Sequence, residues 1–200
     1  SGRVQVITPK ALTPRQTHDH VEIAFYSGLK LRFRDPRRFG AMLLVPLKEL
    51  SRFSLLSSLG VEPFDNSFSG PFLLELFKNR SRPLKAALLD QKIIAGLGNI
   101  YVCEALHCAK LSPLRLAKTI NHLEAEILVK AIQAVLRKAI AAGGSTLRDH
   151  RQPDGEKGTF QDVFKVYGRE GERCLRCDHV EIKRILQSNR STFYCERCQI

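Results

Sequence analysis

The residues best suited to chemistry lie near the C-terminal end of this 200-residue chain, where Cys174-x2-Cys177 and Cys195-x2-Cys198 enclose a spacer of 17 residues. Each CxxC turn presents two thiolates to one ion, and two such turns complete a closed tetrahedral shell, the chemistry of a structural Zn2+. Four cysteines can also form two disulfides, which requires an oxidising compartment. The opening residues carry no secretory h-region, so zinc is the expectation. The other two cysteines, Cys103 and Cys108, stand five apart on an expected helix and share no face, which suits core filling.

Three further segments carry polar chemistry. Gly96-Leu-Gly98-Asn99 precedes an expected helix: glycines allow close approach of a phosphate, helix-start N–H groups favour an anion, and Asn99 can cap or donate. An ordinary helix–turn–helix connection uses the same residues. Asp35-Pro-Arg37-Arg38-Phe39-Gly40 is a tight cationic turn with an aromatic, suited to wedging Phe39 into a base stack while Arg37 reads an exposed base. A solvated β-turn is the alternative. Gln187 to Phe193 places Arg190 at a polar hairpin tip between the two cysteine pairs, where it can meet phosphates or only solvent.

The elements that must position these groups follow from pattern. Runs at 3–8, 20–26, 29–34 and 40–45 alternate or are β-branched, with Ser27-Gly28 as a hairpin turn, so the first fifty residues read as antiparallel strands. From Leu47 the period changes. Lys48–Leu59 reads as a helix stopped by Gly60, followed by short helices over Phe72–Lys78, Pro83–Leu89 and Asn99–Ala109. The longest helix opens on Asn121 with Glu124 as a capping box, spaces Leu123, Ile127, Leu128, Ala131, Val135 and Ile140, and ends at Gly143-Gly144. Residues 150–160 are turn-rich, and a small hairpin surrounds the four cysteines. The fold class is α+β. Thirty-two Lys and Arg against twenty Asp and Glu give a net charge of +12, which favours a polyanionic partner, nucleic acid before an anionic membrane surface. No apolar run reaches the length of a membrane-spanning helix.

Taken together, these residues resemble the Fpg/Nei family of helix–two-turn–helix DNA glycosylases, most closely its formamidopyrimidine-DNA glycosylase (Fpg) branch. The likeness runs through Ser1-Gly2, His18-Asp-His20, DPRRFG at 35–40, GLGNIY at 96–101 and GGSTLRD at 143–149. It continues through PDGEKGTF at 153–160, VYGREGERC at 166–174 and NRSTFYCERC at 189–198. The resemblance implies a partial antiparallel β-sandwich over 1–50 and a linker helix over 51–62. A helix–two-turn–helix DNA-binding domain over 63–150, a lesion-recognition loop over 151–162 and a zinc finger over 163–200 would follow. It implies excision of oxidised purines such as 8-oxoguanine and formamidopyrimidines, with extrusion of the base, attack by an amine and strand cleavage by β,δ-elimination. By the same resemblance, Arg37 would face the widowed cytosine and Phe39 would fill the gap. His18, Arg80, Lys85 and Asn99 would hold phosphates. Arg148 and the loop Gly155, Glu156, Lys157, Gly158, Thr159 and Phe160 would sit over the lesion. Arg190 would bind flanking phosphates and assist δ-elimination. The partner would be double-stranded DNA with an oxidised purine or abasic site, bound by a full-length monomer in the bacterial cytoplasm at the nucleoid, with no membrane and with one Zn2+.

The departures matter as much. The family's nucleophile is the proline of a Pro-Glu-Leu-Pro start, supported by the adjacent Glu and a later Lys, and the 200 residues contain no such segment. Ser1 takes no catalytic position, the methionine that accompanies the Arg37 and Phe39 pair in the family has no counterpart because Met42 follows that turn, and the finger spacer is about one residue long. The chain is therefore expected to bind DNA without turnover. A non-catalytic zinc-containing DNA-binding protein is the alternative. An RNA-binding zinc ribbon is a third, for which the wedge turn has no use on A-form RNA.

Overall fold

The computed structural model describes residues 2–11, 13–145 and 158–200. They form two compact units, one of residues 1–46 with 139–163 and one of residues 47–138 with 164–200.

The first unit is built on a three-stranded antiparallel sheet, β1 (Arg3–Ile7), β2 (Asp19–Ala24) and β3 (Lys30–Arg34), in the order β1-β3-β2. Gly28, at φ +81°, turns β2 into β3, a conformation that costs a residue without a side chain little. Strand alternation puts Arg32 of the central strand on one face, where it is buried yet satisfied: it pairs with Glu22 at 2.8 Å and donates to the carbonyls of Thr13 and Pro14. Lys30, and then Arg32, hold the Glu22 carboxyl below the usual range. Val4, Val6 and Ile23 lie on the other face, exposed. The strand expected over 40–45 does not form. Met42, Leu43 and Leu44 are exposed in irregular backbone, with no strand beside them among the described residues to take their N–H and C=O groups.

The second unit is helical. The helix expected over Lys48–Leu59 divides into a 3-10 segment, Leu47–Arg52, and the four-residue α1 (Ser54–Ser57), because Phe53 between them is extended at φ −67° and ψ 119°. α2 (Gly70–Phe77) is capped by Ser69, whose Oγ accepts from the Phe72 N–H, and has Pro71 in its first turn. α3 (Leu84–Leu88) follows Pro83, α4 (Asn99–Ala109) starts and ends where expected, and α5 (His122–Ala141) opens with the reciprocal Asn121–Glu124 capping box. Arg115 clamps that Glu124 with two bonds, at 2.6 and 2.8 Å. Gly60 is fixed by close approach: a Cβ there would stand 2.2 Å from the Ile93 carbonyl oxygen.

The core of this unit includes Leu73, Phe77, Leu84, Leu88, Leu97 and Leu106, all fully buried. On α5, Leu128, Ala131 and Val135 of the expected stripe are buried, together with Ala125, Val129, Ile132 and Leu136, whereas Leu123, Ile127 and Ile140 are exposed. The helix is apolar over more than one face, so spacing alone supports two overlapping stripes. The chain closes with the hairpin β4 (Lys183–Gln187) and β5 (Arg190–Tyr194), turned by Ser188 and Asn189, both at positive φ. No described helix is long and apolar enough to cross a membrane.

Candidate metal centre and nucleic-acid interface

Two knuckles build the metal centre. In the first, the Asp178 N–H bonds to the Cys174 carbonyl and Asp178 adopts positive φ, which curls Cys174 and Cys177 toward one point. In the second, the Cys198 N–H donates to Cys195 Sγ at 3.4 Å. The buried Gln199 accepts from the Cys195 N–H and donates to the Leu111 carbonyl. The four sulfurs lie within 4.8 Å of one another, with Cys174–Cys198 at 3.9 Å and Cys177–Cys195 at 3.8 Å. A tetrahedral shell at about 2.3 Å from zinc has sulfur–sulfur edges of about 3.8 Å, so the residues fit the ion. The backbone N–H groups of His179 and then Val180 lower the Cys177 thiol to about 6, while burial pushes Cys198 up to about 12. A dication reverses that resistance to ionisation. The other cysteines stay apart from this shell: Cys103 is buried in the adjoining core and Cys108 is exposed.

Helix α4 docks against this module through charged groups. Glu104, nearly fully buried, accepts the backbone N–H groups of Lys165, Val166 and Tyr167, each at 2.9 Å. Arg176, inside the first knuckle, donates to the His107 carbonyl at 2.5 Å and to the Cys108 carbonyl at 3.4 Å, where the helix dipole favours a cation. His107 itself reaches Cys174, its Nε2 standing 3.6 Å from Sγ. Burial, then Arg176, lowers His107 to about 4 and keeps its ring neutral near pH 7. Glu104→Ala leaves three backbone donors without their acceptor, that of Val166 buried, and is expected to lower the unfolding free energy by about 2–4 kcal/mol, measured by urea denaturation. Neither Glu104, His107 nor Arg176 stands out by motif. The signal that could have found Glu104 is an acid in the middle of an otherwise apolar helix.

The Arg190 tip is held by two residues of the helical segment. Asn99 Nδ2 and Lys85 Nζ both donate to the Ser191 carbonyl, at 2.9 and 3.1 Å, and Lys85 also donates to Thr192 Oγ1 at 2.6 Å. Thr192 Oγ1 in turn donates a hydrogen bond to Gln187 Oε1 across the hairpin, completing a chain that fixes the strands on both sides of the turn. Arg190 stays exposed. This placement revises two expectations. Asn99 does not cap α4, since Gly98 is the N-cap and provides no side chain. Lys85 is fully buried, with its ammonium lowered by desolvation, so its hydrogen bonds run inward to the hairpin and not to a phosphate. Arg80 is half-buried, with Nε donating to the Leu76 carbonyl.

In the first unit, Asp35 closes the cationic turn. Its buried carboxylate accepts the Gly40 N–H at 2.6 Å, which holds it below the usual range, and its carbonyl accepts from Arg38. The Arg37 guanidinium lies 5.2 Å from the centroid of the Phe39 ring, and Phe39 is 82% exposed. His18 is exposed at φ +77°, its carbonyl accepting the Asp35 N–H. Of the residues expected over the lesion, Arg148, Gly155, Glu156 and Lys157 lie outside the described residues. Gly158, Thr159 and Phe160 return the chain: the Thr159 N–H bonds to the Ala142 carbonyl, the Phe160 N–H to that of Gly144, and the Phe160 ring is buried.

These features can be set beside known proteins. Residues 59–151 match the formamidopyrimidine-DNA glycosylase H2TH domain, and residues 171–200 match the zinc finger found in FPG and IleRS. The formamidopyrimidine-DNA glycosylase of Azorhizobium caulinodans is 56% identical over 191 residues, covering 92% of this chain and 65% of that protein. That of Methylobacterium nodulans is 46% identical over 219 residues, covering all of this chain and 73% of the relative. This chain belongs to the formamidopyrimidine-DNA glycosylase family.

The Fpg assignment extends to the fold. The crystal structure of the MutM (Fpg) protein from Thermus thermophilus superposes with a TM-score of 0.86 at 40% identity, covering 98% of this chain and 72% of that one. The Lactococcus lactis Fpg in complex with an abasic-site DNA gives 0.88 at 33%, covering 99% and 71%. The chain spans 65% of the length of its Azorhizobium relative, under two thirds. With the Fpg finger and the sulfur geometry together, the four cysteines bind one structural Zn2+.

Proposed function

We propose that this chain is the duplex-binding part of a base-excision repair enzyme, a bifunctional glycosylase and AP lyase. Its substrates are oxidised purines such as 8-oxoguanine and formamidopyrimidines. The observation that carries the reading is the convergence of Lys85 and Asn99 on the Ser191 carbonyl, which sets an exposed Arg190 on a rigid tip. A guanidinium held in this way meets a phosphate without losing much further freedom on binding. The Lactococcus relative was crystallised with Fapy-dG DNA and with abasic-site DNA, which supports the same partner here.

Each residue then has a task. Arg190, Arg80, His18 and the helix-start backbone N–H of Asn99 take phosphates, and Arg190 assists δ-elimination. Phe39 enters the space left by the extruded base, and Arg37 meets the widowed cytosine. Arg148 and the 155–160 loop cover the lesion, with Phe160 acting as its buried root. Zinc supplies folding energy to the finger. The glycosidic bond is inaccessible within the stack, so the base must be extruded before an amine can attack C1′ and release it. The resulting Schiff base acidifies the neighbouring C–H, and elimination cuts the strand. The complete protein acts as a monomer in the bacterial cytoplasm, at the nucleoid.

Titration of a duplex with an abasic-site analogue against an undamaged one tests this reading. The damaged duplex is expected to bind more tightly, and Phe39→Ala to remove about 1–3 kcal/mol from that complex alone, the worth of one base–aromatic stack. Equal affinity for both duplexes would favour a non-catalytic DNA-binding role. Contacts to about four to six phosphates should give a log–log salt slope of about −4 to −5, and Arg190→Ala should make it shallower by about one. A slope near zero would remove the phosphate contacts from the account.

A further inference from the structure

The buried histidine on α4 has no place in the DNA contacts, yet it points at the metal centre. His107 is 2% exposed, and its Nε2 lies 3.6 Å from Sγ of Cys174, which is itself fully buried. The other ring nitrogen, Nδ1, is buried without a hydrogen-bond partner. Around the shell, Cys195 Sγ receives the Cys198 N–H at 3.4 Å. Water does not reach Cys174. Among the described residues, the nitrogen that reaches its sulfur belongs to His107.

The tautomer follows from this geometry. With zinc bound, Cys174 is a thiolate and can only accept. A ring protonated at Nδ1 would bury an unpaired donor and turn its Nε2 lone pair toward a negative sulfur. A ring protonated at Nε2 makes a charge-assisted bond and leaves only an acceptor unpaired. We infer that His107 is an outer-shell residue of the zinc centre, donating Nε2–H to the Cys174 thiolate and tying helix α4 to the finger. It is a positioning residue: it holds one ligand's orientation and disperses part of the negative charge that four thiolates leave on one dication. Arg176 binds the His107 carbonyl from the same knuckle, so ring and backbone of one residue both contact the metal module.

The test measures zinc retention, independent of activity. The 200-residue chain, loaded with one zinc, is challenged with a chromogenic chelator as wild type, His107→Phe and His107→Gln. His107→Phe fills the space without a donor and should weaken zinc binding about tenfold or more. His107→Gln returns an N–H near the Nε2 position and should recover most of that loss, which a purely space-filling role would not produce. In parallel, long-range 1H–15N correlation on the zinc-loaded wild type should show His107 protonated at Nε2, a readout that stands even where the Phe variant fails to fold. Zinc affinity of His107→Phe within twofold of wild type, or a wild-type ring protonated at Nδ1, would overturn the inference.

Discussion

Replacing Cys195 by alanine is expected to strip the chain of zinc and to weaken duplex binding at least tenfold. The finger is too small to bury a core of its own, so its folding free energy is largely metal-binding free energy, on the order of 10 kcal/mol in comparable modules. Loss of the finger also reaches the helices. Lys85 donates to the Ser191 carbonyl and Thr192 Oγ1, and Asn99 to the same carbonyl. With the hairpin unfolded, a buried ammonium and an amide lose their acceptors, at about 1–3 kcal/mol or more for each group. Glu104 likewise loses the three N–H groups of residues 165–167. Thermal unfolding should therefore shift throughout the second unit and not only in the finger. Metal analysis should return one zinc per chain for the wild type and clearly less for Cys195→Ala. A variant that keeps both zinc and wild-type affinity would contradict the assignment of this shell.

Much of the site was legible in the sequence because its signals are local. Two CxxC turns fix their own thiolate geometry, and Asn121 with Glu124 announces a helix start by a hydrogen-bond exchange that spans three residues. Asp35 to Gly40 likewise closes on itself. The contacts that were not legible join residues far apart in the chain. Lys85 reads as a cation available to phosphate until the fold places Ser191 and Thr192 against it. Asn99 reads as a cap for α4, but its amide is taken by the hairpin. Residues 40–45 carry strand-like residues, and a strand needs a neighbour, which no local pattern supplies. The two overlapping apolar stripes of α5 are resolved only by what packs on them.

The largest effect concerns turnover. Covalent base excision of this type needs an amine whose lone pair is free near neutral pH and placed at C1′. The family supplies it with an N-terminal proline, a secondary amine, next to a general-acid Glu, and neither stands in these 200 residues. Phosphate and orienting contacts hold a substrate but cannot replace the nucleophile, because removing it closes the covalent route whatever the remaining groups contribute. A polypeptide limited to these 200 residues should therefore bind damaged duplex and leave it intact.

The most direct measurement mixes this polypeptide with a duplex carrying 8-oxoguanine opposite cytosine, in borohydride. One half is resolved on a native gel and the other on a denaturing gel. A shifted complex on the native gel, with no cross-linked band and no cut strand on the denaturing gel, is the predicted result. A borohydride-trapped adduct would show that these residues carry their own nucleophile, and absence of any complex would contradict the proposed duplex-binding role.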